Sequence, residues 1–171
     1  MINVMADKIA VGIKRTAPDH PASIAVLRYS IALLLNAALI ISITLLLSVF
    51  TGRTKEIMIL LVSFAVLRQV SGGIHLNSGI KCILTTTTLF TLLSVIELTF
   101  SYAMIINGIA AILCLIFAPS RIEKQTRIPL KYYPLLKLAS VLIVSSNFLI
   151  MSPVLSLSFV AQSVLLIKLR R

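Results

Sequence analysis

His75 and Cys82 are the two side chains in this sequence with the most distinctive chemistry. An imidazole and a thiol are the parts of a cysteine nucleophile and its general base. They lie on the stretch Arg68-Gln69-Val70-Ser71-Gly72-Gly73-Ile74-His75-Leu76-Asn77-Ser78-Gly79-Ile80-Lys81-Cys82, which holds three of the six glycines. On one unbroken helix His75 and Cys82 would face the same way, about 10.5 Å apart. That is too far for a hydrogen bond of about 3 Å. Cooperation therefore requires the chain to fold back between them, and Asn77-Ser78-Gly79 has the turn composition to do so. A helix starting near Gly79 would put Cys82 in its first turn, where the dipole and the neighbouring Lys81 favour a thiolate. Gln69, Ser71 and Asn77 are the polar neighbours able to orient the imidazole.

Each element of the stretch has two readings. Gly72-Gly73 permits backbone conformations that side chains block, and its exposed amides could hold an oxyanion or simply form a reentrant turn. Arg68 could grip a substrate carboxylate in two hydrogen bonds or anchor the chain at a lipid headgroup. His75 and Cys82 could be a thiol catalyst or structural residues beside a membrane. A metal site is not expected, because one histidine and one cysteine fall short of the three or four protein ligands of zinc. No cofactor is implied. His20, flanked by Pro18 and Pro21, reads as a linker residue, and Cys114, amid apolar neighbours, as a buried small residue.

The elements that must carry this stretch are membrane helices. Of the 171 residues, 58% are hydrophobic and only 12% charged, and the mean hydropathy is +1.05. A soluble domain has about 45–50% and about 25%. The fold class is therefore all-α: a polytopic integral membrane protein of about six transmembrane helices plus an N-terminal interfacial amphipathic helix. One domain, 1–171, is expected. Residues 1–17 form the interfacial helix, with Ile2, Met5, Ile9 and Ile13 on one face against membrane lipid. Asp7, Lys8, Lys14 and Arg15 interrupt these first residues, so they do not read as a cleavable signal. Membrane segments are expected at 23–50, 57–67, 83–100, 105–118, 138–151 and 154–169, with 68–82 as the loop of interest. The second run is short and spans only by recruiting flanking residues. A turn is expected near Asn107-Gly108 and a hinge at Ser152-Pro153. Glu97 is an interfacial or interhelical residue, too far along its helix to share a site with Cys82.

The net charge of +11 would suggest nucleic acid in a soluble protein. Here the cations fall between apolar runs, no aromatic–basic interleaving offers base stacking, and no nucleic-acid partner is expected. With the N-terminus in the cytoplasm and six spans, only Arg53 and Lys55 of the sixteen lysines and arginines fall outside. The positive-inside rule then puts both termini, the His75–Cys82 loop and the basic segment 120–137 in the cytoplasm. That compartment keeps a lone thiol reduced.

An arginine, a Gly-Gly-x-His and a cysteine seven residues after the histidine stand here as Arg68, Gly72-Gly73-Ile74-His75 and Cys82. This resembles the accessory gene regulator B (AgrB) family of bacterial membrane endopeptidases, which mature quorum-sensing peptides. The size, basic N-terminal segment, span number and basic loop after Ala118-Pro119 are also similar. The resemblance implies that Cys82 attacks a peptide carbonyl in a small AgrD-like precursor, with His75 as base, and holds the product as a thioester. A cysteine or serine of the precursor then closes a thiolactone or lactone ring. It also implies a precursor with an acidic C-terminal tail, for which Lys124, Arg127 and Lys131 are candidate contacts, and a homodimer. The alternative class is a non-enzymatic membrane peptide exporter or partner subunit.

Overall fold

The computed structural model describes residues 2–74, 78–122 and 128–167. The helices are α1 (Ile2–Thr16), α2 (Ile24–Thr51), α3 (Thr54–Ser71), α4 (Gly79–Ser94), α5 (Phe100–Phe117), α6 (Tyr133–Ile150) and α7 (Pro153–Val164). No strand forms among the described residues. The chain is all-α, as its composition requires. Three stretches, Ile24–Thr51, Phe100–Phe117 and Leu130–Ile150, are long and apolar enough to cross a membrane, while α4 and α7 are shorter apolar helices.

The distribution of residues is inverted relative to a soluble protein. Leu34, Val49, Phe50 and Leu149 are 70–87% exposed, whereas Asn107, Asn147, Ser156 and Gln162 are fully buried. Lipid solvates apolar side chains, so polar and small residues are left to join helices to one another. Asn107 Nδ2 donates to the Val144 carbonyl (3.1 Å). Asn147 Nδ2 donates to Asn107 Oδ1 (3.2 Å) and Ser156 Oγ (2.9 Å). Thus α5, α6 and α7 share one polar ladder. Beside it lies the apolar core of Leu67, Ala110, Cys114, Val144, Phe159 and Leu166.

Local signals account for the helix ends. Ser23 Oγ accepts from the Val26 amide at the start of α2, and Gly52, with φ of 68°, closes its far end. Ser152 caps α7 and Pro153 occupies its first turn, so the expected hinge is where the chain breaks. The short second run does recruit its flanks, because α3 extends from Thr54 to Ser71. The turn expected at Asn107-Gly108 does not form; both residues lie inside α5. The Asn107 amide is satisfied by α6 rather than by its own backbone, and a glycine is tolerated in a membrane helix. The break falls instead at 95–99, so the third segment ends at Ser94 rather than 100. Glu97 lies in that break and pairs with Arg53 (2.7 Å). The α7 helix stops at Val164, short of the expected 169.

The relation of α1, α2 and α4 sets the depth of the loop. Thr44 Oγ1 meets Thr87 Oγ1 (3.4 Å), and Asn36 Oδ1 lies beside Gly79. Eight residues farther along each helix the pairing repeats, so α2 and α4 run parallel. Residues 24–35 of α2 then project beyond the start of α4 by about 18 Å at 1.5 Å per residue. Helix α1 folds back along this projection: Ile2 reaches Gly79, and Asp7 pairs with Arg28 (3.6 Å). Its buried residues are Ile2, Ala6 and Ala10, while Met5 and Ile9, on the face expected against lipid, remain exposed. Alanines allow the close helix approach, and the exposed apolar face is left for lipid.

Asn147→Leu removes the centre of the polar ladder while adding apolar bulk. It leaves Asn107 Oδ1 and the Ser152 amide without their partner. A loss of about 1–2 kcal/mol is expected, measured by unfolding in detergent micelles.

Candidate active site

The site begins where α3 ends. Gly72 has φ of 72° and ψ of −137°, and its amide donates to the Arg68 carbonyl. Gly73 follows at φ 121°. These are conformations a side chain rarely adopts. A Cβ on Gly72 would stand 2.3 Å from the Ser120 carbonyl oxygen, inside any real contact distance. A glycine is therefore required twice over, by conformation and by approach.

The loop docks on two other connections. The Gly73 amide donates to the Ser120 carbonyl (2.8 Å), and the Ser120 amide donates to that of Ser71 (2.9 Å). The Ile74 amide donates to the Leu165 carbonyl just beyond α7 (3.0 Å). Gln162, fully buried on α7, donates from Nε2 to the Gly72 carbonyl (2.7 Å) and to Ser71 Oγ (3.1 Å). Its Oε1 accepts from Arg68 (3.4 Å). Sequence reasoning did not single out Gln162. A lone amide in an otherwise apolar segment was the available signal, since such a group needs a partner inside the bundle.

Arg68 lies half-buried behind the loop. One guanidinium nitrogen donates to the Ile74 carbonyl (2.7 Å), and the group stands 5.8 Å over the Phe64 ring. Phe64 in turn meets Phe90 of α4 edge to face (5.0 Å). Arg68 thus braces the residue preceding His75. The Gly72 and Gly73 amides, read either as oxyanion donors or as part of a turn, both donate to backbone carbonyls. Ser71 likewise has its hydroxyl engaged by Gln162.

Cys82 is partly exposed in the opening turn of α4, its amide bonded to the Ser78 carbonyl (2.9 Å). Gly79 starts that helix as expected. Loop and helix thus bring Arg68, Gly72, Gly73 and Cys82 to one end of the bundle. Lys131 stands in a 3-10 turn before α6, with its ammonium 4.9 Å from the Tyr132 ring. His75, Asn77, Lys124 and Arg127 lie outside the described residues. Cys114 is fully buried, with Sγ 3.2 Å from Ser163 Oγ, and packs in the core. Among the described residues no three His, Cys, Asp or Glu side chains gather as metal ligands.

Inverted packing and apolar helices define an α-helical integral membrane protein with a thiol in the first turn of the helix that follows a tightly docked loop. A family model for accessory gene regulator B matches residues 6–168. The chain belongs to that family. Membership supports a role in the agr quorum-sensing system and an association with an AgrD-type precursor. Comparison with curated proteins and with solved structures found no match.

Gly72→Ala should cost about 2 kcal/mol or more, from left-handed strain and the clash with Ser120. Gly108→Ala, with nothing within 4 Å of the added carbon, should leave the unfolding midpoint in micelles unchanged or raise it.

Proposed function

We propose that the protein is a membrane-embedded cysteine endopeptidase that cleaves the C-terminal tail from an AgrD-type precursor. Cys82 is the nucleophile and His75 its general base. The observation that carries this reading is the position of Cys82: partly exposed, in the first turn of α4, the helix that follows the Gly-Gly loop braced by Arg68.

The chemistry needs no cofactor. The Cys82 thiol gives its proton to His75, and the thiolate attacks the scissile carbonyl carbon. Collapse of the tetrahedral adduct breaks the C–N bond, and the imidazolium protonates the departing amine. The peptide remains as a thioester on Cys82. A cysteine thiol of the precursor then attacks the thioester, regenerates Cys82 and closes a thiolactone; a serine hydroxyl would close a lactone. The ring forms only if water is kept from the thioester. The depth of the α4 start, about 18 Å along α2, supports such exclusion.

The remaining assignments follow from charge. The Lys and Arg distribution favours cytoplasmic termini and a cytoplasmic active site in a bacterial cell membrane. Lys124, Arg127 and Lys131 are proposed contacts for the acidic tail; a homodimer, which the family resemblance and not the charge implies, is the proposed assembly.

The test uses purified protein in liposomes and a synthetic AgrD-type peptide. Cys82→Ala and His75→Ala should each abolish cleavage while the protein still inserts and folds. Full cleavage by either variant would remove that residue from the mechanism. Exchanging Lys124, Arg127 and Lys131 together for Gln should raise KM and flatten its dependence on salt, since charge attraction between exposed groups is screened within about 8–10 Å at ordinary ionic strength.

A further inference from the structure

The start of α4 carries a second feature besides Cys82. Asn36 of α2 is 8% exposed, and its side-chain oxygen is buried without a hydrogen-bond partner. That oxygen would stand 3.3 Å from a Cβ on Gly79, the first residue of α4. Leaving a buried acceptor unpaired costs about 1–3 kcal/mol, and such groups in native proteins call for a specific explanation. Ser120 Oγ is also buried and unpartnered, but it lies at the loop dock rather than beside the helix that carries Cys82.

The surroundings define what Asn36 would accept. The first-turn amides of any helix lack intrahelical acceptors, and Ser78, at the cap of α4, makes no side-chain cap bond. Donors at the helix start and an acceptor on α2 thus stand together, with Ile2 of α1 closing one side 3.2 Å from the same Gly79 position. A peptide group offers the complement of this pair: a carbonyl oxygen for the helix amides and an N–H for Asn36. Cys82 lies three residues farther along the helix, a rise of about 4.5 Å. Gly79 suits this position, since a side chain there would press on both Ile2 and Asn36.

We infer that Asn36 and the first turn of α4 form a peptide-backbone subsite, in which Asn36 Oδ1 accepts a backbone N–H of the precursor next to the scissile bond. This rests on the endopeptidase reading. It also supplies oxyanion-side donors after the Gly72 and Gly73 amides proved to be engaged. Asn36 is a substrate-binding residue that takes no part in proton transfer.

The experiment compares the wild-type protein with Asn36→Leu and Asn36→Ser in liposomes. The probes are a synthetic AgrD-type peptide and a set of its esters. Each ester replaces one backbone N–H near the scissile bond, other than the scissile one itself, by oxygen. Asn36→Leu should lower kcat/KM for the amide peptide about tenfold, the equivalent of one hydrogen bond left unmade. One ester should be cut about tenfold more slowly than the amide by the wild-type protein, and no more slowly than the amide by Asn36→Leu. Asn36→Leu should also unfold no earlier than wild type, because an apolar group replaces an unpaired oxygen. If Asn36→Leu fails to fold, the same ester comparison on Asn36→Ser decides. Wild-type kcat/KM in the variants, or an ester penalty that persists in them, would overturn the subsite. A wild-type protein that cuts no precursor would sink the endopeptidase reading and this inference with it; normal wild-type cutting that ignores position 36 sinks this inference alone.

Discussion

The contact between Gly72 and Ser120 is the constraint on which the rest of the molecule turns. A non-helical loop among membrane helices must satisfy every backbone polar group inside the protein. Here the Gly73 and Ile74 amides and the Ser71 and Gly72 carbonyls all find partners on the chain after α5 or on α7 and its end. The approach is so close that only glycine fits. Because the partners come from three separate parts of the chain, the end of α3, the end of α5 and the end of α7 are tied at one point. Gln162 and Arg68 complete the tie with side chains where backbone groups do not suffice.

That tie goes with the burial of the polar side chains of α7, the shortest of the described α-helices. Ser156, Ser158, Gln162 and Ser163 are all fully buried, which no lipid-facing helix would tolerate. Its neighbours α3 and α5 shield it, and its hydroxyls and amide bond to them: Ser158 with Ser63 (2.6 Å), Ser163 with Cys114. The apolar surface of the long helices faces outward instead. Helix α7 thus acts as a central post, with the loop fastened to its C-terminal end.

Much of this was legible in the residues. Uniform hydrophobicity from Ser23 to Phe50 gave one long helix, and Asn77-Ser78-Gly79 marked the start of the helix bearing Cys82. Gly72-Gly73 marked unusual backbone. The partners of that backbone were not legible, because Ser120 and Leu165 are brought there by helix packing and carry no local signature. Asn107-Gly108 misled for a related reason: the pair has turn chemistry, but a buried asparagine can bond to a neighbouring helix instead. The packing of α1 through Ala6 and Ala10 was not legible, because periodicity picks out the larger apolar residues, which here are left for lipid. The unpaired oxygen of Asn36 has no counterpart in sequence at all.

The central claim is that Cys82 holds the cleaved peptide covalently. Intact-mass measurement of the protein in liposomes, quenched in acid shortly after mixing with an AgrD-type peptide, tests this most directly. The peptide should be one whose ring-closing cysteine is replaced by alanine, so that the adduct cannot cyclise. The account predicts a protein heavier by the peptide without its tail, the added mass mapped to Cys82 and removed by neutral hydroxylamine. Tail release with no adduct at Cys82 at any quench time, or an adduct that survives in Cys82→Ala, would contradict it.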